Sequence, residues 1–244
     1  MSEFAPWVAG ADGYRDGWVV VLWQPATATM RRRTVEGVEP LLTLPEAPDM
    51  LGVDMVIGCP DVAVPGGRAC DRAARRLLGR PRGASVFSPP AYDALRADTY
   101  EDALRRNRAS GPDAPGLSKQ TFHLFPKLRA LAERMTPRRQ ERVREVHPEL
   151  AFYAMNDDAP VDASKHTEAG RRARIDLLTA HDVPGVEAAV DALPGGPLGA
   201  DDVLDAHAAC WTARRLHDGR AERCPPRSED APRTTRGLRM EIWR

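Results

Sequence analysis

The first fifty residues cluster apolar positions in the manner of strands. Residues 7–11 form a short apolar run, and Asp12-Gly-Tyr-Arg-Asp-Gly17 carries two Asp-Gly turn signals. Trp18-Val-Val-Val-Leu-Trp23 is β-branched and aromatic. This pattern predicts a hairpin, with a third strand over 30–38. The stretch 39–50 reads as a short helix whose end is broken by Pro45 and Pro48. The apolar run 51–58 fits a buried parallel strand. Hairpin strands, a crossover and a buried strand together predict an α/β sheet.

Beyond residue 60 the period becomes helical. Helices are predicted over 68–79, stopped by Gly79, and over 97–108, 125–135, 167–181 and 199–217. Residues 142–147 read as a strand that enters a helix over 149–155, with Pro148 at its first position. Residues 111–116 form a loop, 225–235 a polar, Pro-rich connection and 238–243 a terminal strand. No internal repeat is present.

Composition narrows the class. A chain of 244 residues, 42% hydrophobic, can bury one large core, and a single domain over 1–244 is expected. Lys+Arg and Asp+Glu are both 35, so no chain-wide basic field exists. That balance favours a small or structured nucleic acid, or a nucleotide, over a long duplex. Arginine dominates the basic residues: Lys119, Lys127 and Lys165 are the only lysines, and this rarity gives weight to Lys119 and Lys127. No apolar run approaches the roughly 18 residues of a membrane helix. The start lacks a basic segment ahead of an apolar one, so neither a membrane partner nor a secretory signal is expected. Cys59, Cys70, Cys210 and Cys224 form no C-x-x-C pair, which excludes zinc-ribbon spacing and fits reduced thiols in a cytoplasmic protein.

The candidate chemistry lies in carboxylates. Asp54 interrupts the apolar run Val53-Met55-Val56-Ile57, where an unpartnered carboxylate is costly. It needs a cation, a neighbouring loop to cap or one of the many arginines. Asp12 ends the predicted first strand, where a turn aspartate is the competing explanation. Asp201, Asp202 and Asp205 open the last long helix. Capping accounts for one of the first two, but Asp205 lies too far inside for it. Glu145 sits at a strand end, whereas Glu149 suits the first turn of a helix. His147 is either a ligand, a general acid or a structural histidine. Acids on two neighbouring strands and one late helix can converge at one sheet end, where hard oxygen ligands suit Mg²⁺ or Mn²⁺. Two such ions about 3.5–4 Å apart would activate water and stabilise the leaving oxygen in phosphodiester cleavage.

These stretches resemble the domain-of-unknown-function family 429, whose members are predicted nucleases of RNase-H-like fold. The resemblance rests on Gly10-Ala-Asp-Gly13 with Gly17-Trp18, Val53-Asp-Met-Val-Ile-Gly-Cys-Pro60, Arg68-Ala-Cys-Asp71 through Leu78-Gly79, and Ser85-Val-Phe87. It continues through Leu117-Ser-Lys-Gln120, Pro126-Lys127, Glu145-Val-His-Pro-Glu149, and Ser164-Lys165 with Glu168-Ala-Gly-Arg171. It ends with Asp201-Asp-Val-Leu-Asp205 and Gly237-Leu-Arg-Met-Glu-Ile-Trp243. Val56 stands where the family pattern has proline, and Cys59 where leucine is common; neither change removes a carboxylate.

The resemblance implies an α/β, RNase-H-like five-stranded mixed sheet with flanking helices and a helical insertion about 61–140. It maps a metal site onto Asp12, Asp54, Asp202 and Asp205, with Glu145 as a fifth catalytic acid. Within the insertion, Arg68, Lys119 and Lys127 are candidate substrate contacts, joined by His147, although Arg68 and Asp71 can also pair at i, i+3. The activity implied is that of a hydrolase, a nuclease using Mg²⁺ or Mn²⁺. The alternatives are a phosphoryl-transfer enzyme on the same core, for which no P-loop is found, and a non-catalytic nucleic-acid or protein binding module with a relict acidic site.

Overall fold

The computed structural model describes residues 5–193 and 195–244. The elements begin with β1 (Val8–Tyr14), β2 (Gly17–Gln24), β3 (Thr29–Val35), α1 (Val38–Leu42) and β4 (Met50–Val53). Four helices follow: α2 (Ala69–Leu78), α3 (Tyr100–Ala109), α4 (Lys119–His123) and α5 (Phe125–Arg134). Then come β5 (Val143–Glu145), α6 (Pro148–Met155), α7 (Glu168–Ala180), α8 (Val186–Asp191) and α9 (Ala200–His217). The short strands β6 (Arg223–Cys224) and β7 (Ile242–Trp243) complete the order.

Five strands form one mixed sheet in the order β3-β2-β1-β4-β5. β1–β2 and β2–β3 pair antiparallel, whereas β1–β4 and β4–β5 pair parallel. The hairpin, the parallel fourth strand and the flanking helices are those expected from the sequence. β4 is shorter than the apolar run that predicts it. Its pairing ends at Val53, and Asp54 stands one residue beyond the strand rather than within it. Asp12, conversely, lies inside β1, opposite Val19, and the strand runs on to Tyr14. The predicted terminal strand is reduced to Ile242–Trp243.

The chain packs as two units. One comprises Met1–Met55, Arg142–Ala221 and Trp243–Arg244; the other comprises Val56–Glu141 and Glu222–Ile242. The first holds the sheet. β2 is buried on both faces, because Trp18, Val20 and Leu22 alternate with Val19, Val21 and Trp23. The latter three join Val8, Phe152, Leu178, Val203 and Ala206 in the core beneath α6–α9. β3 is one edge, and Arg31, Arg32 and Arg33 along it discourage pairing with another chain. Trp243 returns to this unit by a parallel bridge to Val146.

In the second unit α2 buries Cys70, Ala73, Ala74 and Leu78, spaced as a helix requires, and Gly79 stops it with a positive φ. Asn107 ties α3 to two loops, accepting from Ala91 N–H and donating to Pro115 O. Among the described residues all four cysteines are buried and form no disulfide, and no helix is long and apolar enough to cross a membrane.

Candidate functional site

Three elements of the first unit bring carboxylates together. Alternation puts Asp12 on the same face of β1 as Gly10. The backbone of α9 lies directly on that glycine: a Cβ there would stand 2.0 Å from Cys210 N and 2.4 Å from Ala206 O. Gly52, the register partner of Gly10, is covered in the same way by Ala209 O at 2.7 Å. Asp54 N–H donates to Ala11 O at 2.9 Å, which carries the β1–β4 pairing one step beyond the strand. Asp205 precedes Ala206 on α9 and is buried with Asp12. Glu145, also buried, is in register with Val53 and thus with Ala11, a pleat out of phase with Asp12.

A cation completes the cluster. Lys165 Nζ donates to Asp205 Oδ2 at 2.6 Å. The segment carrying it is pressed against α7 because Gly170 has no side chain; a Cβ would meet Ser164 O at 1.8 Å. Thr167 fixes the turn, its hydroxyl donating to Ser164 O and accepting from Gly170 N–H. Arg174 braces the same segment by donating to Ala163 O at 3.2 Å and Gly170 O at 3.1 Å. Its remaining charge goes to Glu149 at 2.6 Å, inside the protein.

The surrounding acids are partly committed. Asp202 Oδ2 accepts Gly199 N–H at 2.7 Å, the N-capping role. Asp201 Oδ2 meets His166 Nδ1 at 2.8 Å. Asp205 Oδ1 is buried and has no hydrogen-bond partner.

Crowded, desolvated carboxylates hold protons. Burial, reinforced by Asp54, Asp205 and Asp202, raises Asp12 well above the usual carboxylate range. Burial pushes Asp54 up to about 7 against the pull of Lys165, with Glu145 adding to the rise. Asp205 is pushed to about 6 by burial, again opposed by Lys165. Burial works against the charge on Lys165, but Asp205, Asp12 and Asp54 outweigh it and raise its pKa.

The model of the family described as "Protein of unknown function (DUF429)" matches residues 10–230. The chain belongs to the DUF429 family. No curated protein and no solved structure matches it.

In this DUF429 chain the other sequence candidates belong to other elements. Arg68 is 3% exposed and donates through Nε and Nη2 to Asp71 and through Nη1 to Gly58 O, so the i, i+3 pairing is the one formed. Lys119 is exposed at the start of α4, its ammonium 6.0 Å from the Tyr100 ring centroid. Lys127 is half-buried on α5. His147 stands at the N-cap of α6, where its carbonyl accepts from Leu150 and Ala151. Sequence reasoning ranked Lys165 only as part of a family motif. Its rarity was the signal available; its partner lies 40 residues away.

Among the described residues no three His, Cys, Asp or Glu side chains stand ready-made around a metal position. The donor chemistry of Asp12, Asp54 and Asp205 still suits a hard divalent cation. It is all oxygen and desolvated, with proton affinity raised by burial, and it includes the open Oδ1 of Asp205.

Proposed function

We propose that this protein is a metal-dependent nuclease or phosphodiesterase, with Mg²⁺ or Mn²⁺ held by Asp12, Asp54 and Asp205. The observation that carries this reading is the convergence of three desolvated carboxylates, from two adjacent parallel strands and α9, with one buried oxygen left open. We read the sheet order β3-β2-β1-β4-β5 as RNase-H-like, because the acids then fall on the first strand, just after the fourth and on the last long helix. Bound there, a divalent ion would acidify water and offset the charge growing on a phosphate. Asp12 and Asp54, whose burial raises their proton affinity, would give up bound protons as they take up the cation. Glu145 and Asp202 are outer members that add negative field at Asp54 and Asp12 respectively. Lys119, Lys127 and His147 are proposed phosphate contacts, and the zero net charge favours a structured nucleic acid or nucleotide in a cytoplasmic setting.

The test is turnover on single-stranded, duplex, branched and hybrid substrates with Mn²⁺ or Mg²⁺. Cleavage is expected, stopping with EDTA and falling to background in Asp12→Asn. A second reading, a binding module with a relict acidic site, draws on the lack of a ready-made ligand group among the described residues. It takes over if substrates bind but none is cut above the Asp12→Asn control.

A further inference from the structure

We infer that the second unit binds the phosphates of a nucleic-acid chain in a cavity at the end of α2, lined by Arg75, Arg76 and Arg80. The choice of nucleic acid rests on the nuclease reading. The zero net charge of the chain hides an uneven division. Residues 56–141 and 222–242 hold 21 of the 35 Lys and Arg but 13 of the 35 Asp and Glu, so the second unit carries +8 with histidine neutral. The first unit, with 14 against 22, carries −8. A basic unit of this size attracts a polyanion before any specific contact forms.

The surplus is concentrated on α2. Elsewhere in the unit arginines meet acids: Arg105 and Arg106 pair with Asp102, Arg96 with Asp93 and Arg129 with Asp98. On α2 the one acid, Asp71, is taken by Arg68 inside the protein. Arg72 and Arg75 donate to neutral groups and so keep their charge. Arg72 bonds Gly67 O. Arg75 bonds Val86 O at 2.8 Å, Gly66 O at 2.5 Å and Ser88 Oγ at 3.0 Å, which fixes its guanidinium in place. Arg76 and Arg80 are exposed, and among the described residues no acid pairs with either. Gly83 lets the turn after α2 close on the helix; a Cβ there would stand 3.1 Å from Arg75 O. The resulting cavity is about 680 Å³, with Pro81, Ala84 and Val86 as an apolar side. A nucleotide unit matches both halves, its phosphates against Arg76 and Arg80 and its sugar or base against the apolar side. The carbonyl end of α2 opposes an anion by about half a charge, which three guanidinium groups outweigh.

A fluorescently labelled stem–loop oligonucleotide with a single-stranded arm, titrated with the full chain in EDTA, tests this by anisotropy. Binding that weakens with salt is expected. Arg76→Gln with Arg80→Gln should weaken it about tenfold at low salt and lower the slope of log K against log salt by roughly 1.5, the share of two phosphate contacts. Arg108→Gln with Arg138→Gln removes the same charge from exposed positions of the same unit outside the cavity, and should cost no more than about twofold. Arg76→Lys with Arg80→Lys should keep most of the affinity, which separates lost charge from lost folding. Equal losses in the two glutamine pairs would overturn the inference, because net charge alone would then explain them. So would the absence of oligonucleotide binding in EDTA, including the case where vesicles of acidic phospholipid bind instead. Binding in EDTA with the expected losses, but no cleavage in Mn²⁺, would uphold this site and overturn the nuclease. Cleavage in Mn²⁺ that the Arg76→Gln, Arg80→Gln pair leaves undiminished at low substrate would do the reverse.

Discussion

At the scale of single residues, the acids were legible because each sits where local structure gives it little reason to be. Asp54 breaks an apolar run and Asp205 lies too deep in α9 to cap it. The committed partners were not legible, since they depend on contacts made across folded loops, as between Lys165 and Asp205. Crowding these acids has a consequence for stability. Asp54 at about 7 and Asp205 at about 6 bind protons more tightly in the folded chain than at their ordinary value of 3.8. Between about pH 4 and 7 the folded state therefore holds more protons than the unfolded state, and stability falls as pH rises through that window. In EDTA, calorimetric melting temperatures should drop across this range. Asp54→Asn should flatten the drop and melt higher than the unaltered chain near pH 8. An unchanged slope would mean that Asp54 is an ordinary solvated acid.

At the scale of elements, the seating of α9 on β1 and β4 aligns the site. Ala206, Ala209, Cys210 and Ala213 are all fully buried, and Gly10 and Gly52 lie under the helix backbone. The helix was readable from its length and period. The two glycines were visible only as weak points in strands, and nothing local says what approaches them. Likewise, an apolar run such as 51–58 records burial, not pairing, which is why it overshot β4. Gly10→Ala should cost about 3 kcal/mol or more in urea unfolding, since its methyl group meets helix backbone rather than a side chain that can turn aside. Mn²⁺ affinity should weaken in the same variant, because lifting α9 carries Asp205 with it. A variant with normal stability would show that α9 can shift without cost.

At the scale of the whole molecule, the insertion expected about 61–140 falls within a unit that also takes in Glu222–Ile242. The sequence presents much of that second stretch as an exposed connection because it is polar. Its attachments are polar too: Gln140 Nε2 donates to Arg239 O, Thr235 donates twice to Asp61, and Arg236 lies over Tyr92. Hydrophobic periodicity cannot report such contacts. The chain passes between the units at four points, so each is interrupted by the other. All five tryptophans, Trp7, Trp18, Trp23, Trp211 and Trp243, belong to the first unit, whereas helices occur in both. Melting followed by tryptophan fluorescence and by far-ultraviolet circular dichroism should therefore coincide if the interruptions make unfolding cooperative. Two separated transitions would show that the units unfold independently.

The acids that gather in the sheet-bearing unit are far apart in sequence. Asp54 and Asp205 are separated by 151 residues. At ribosomal speeds of roughly 5–20 residues per second, on the order of 10 s or more passes between their synthesis. Throughout that interval the nascent chain carries Asp12 and Asp54 without Asp205, and for most of it without Lys165. A half-built cluster of this kind lacks both its third acid and its internal counter-charge. The acidic cluster is therefore assembled only after translation has passed α9, and a ribosome-bound fragment that ends before it holds only part of the cluster.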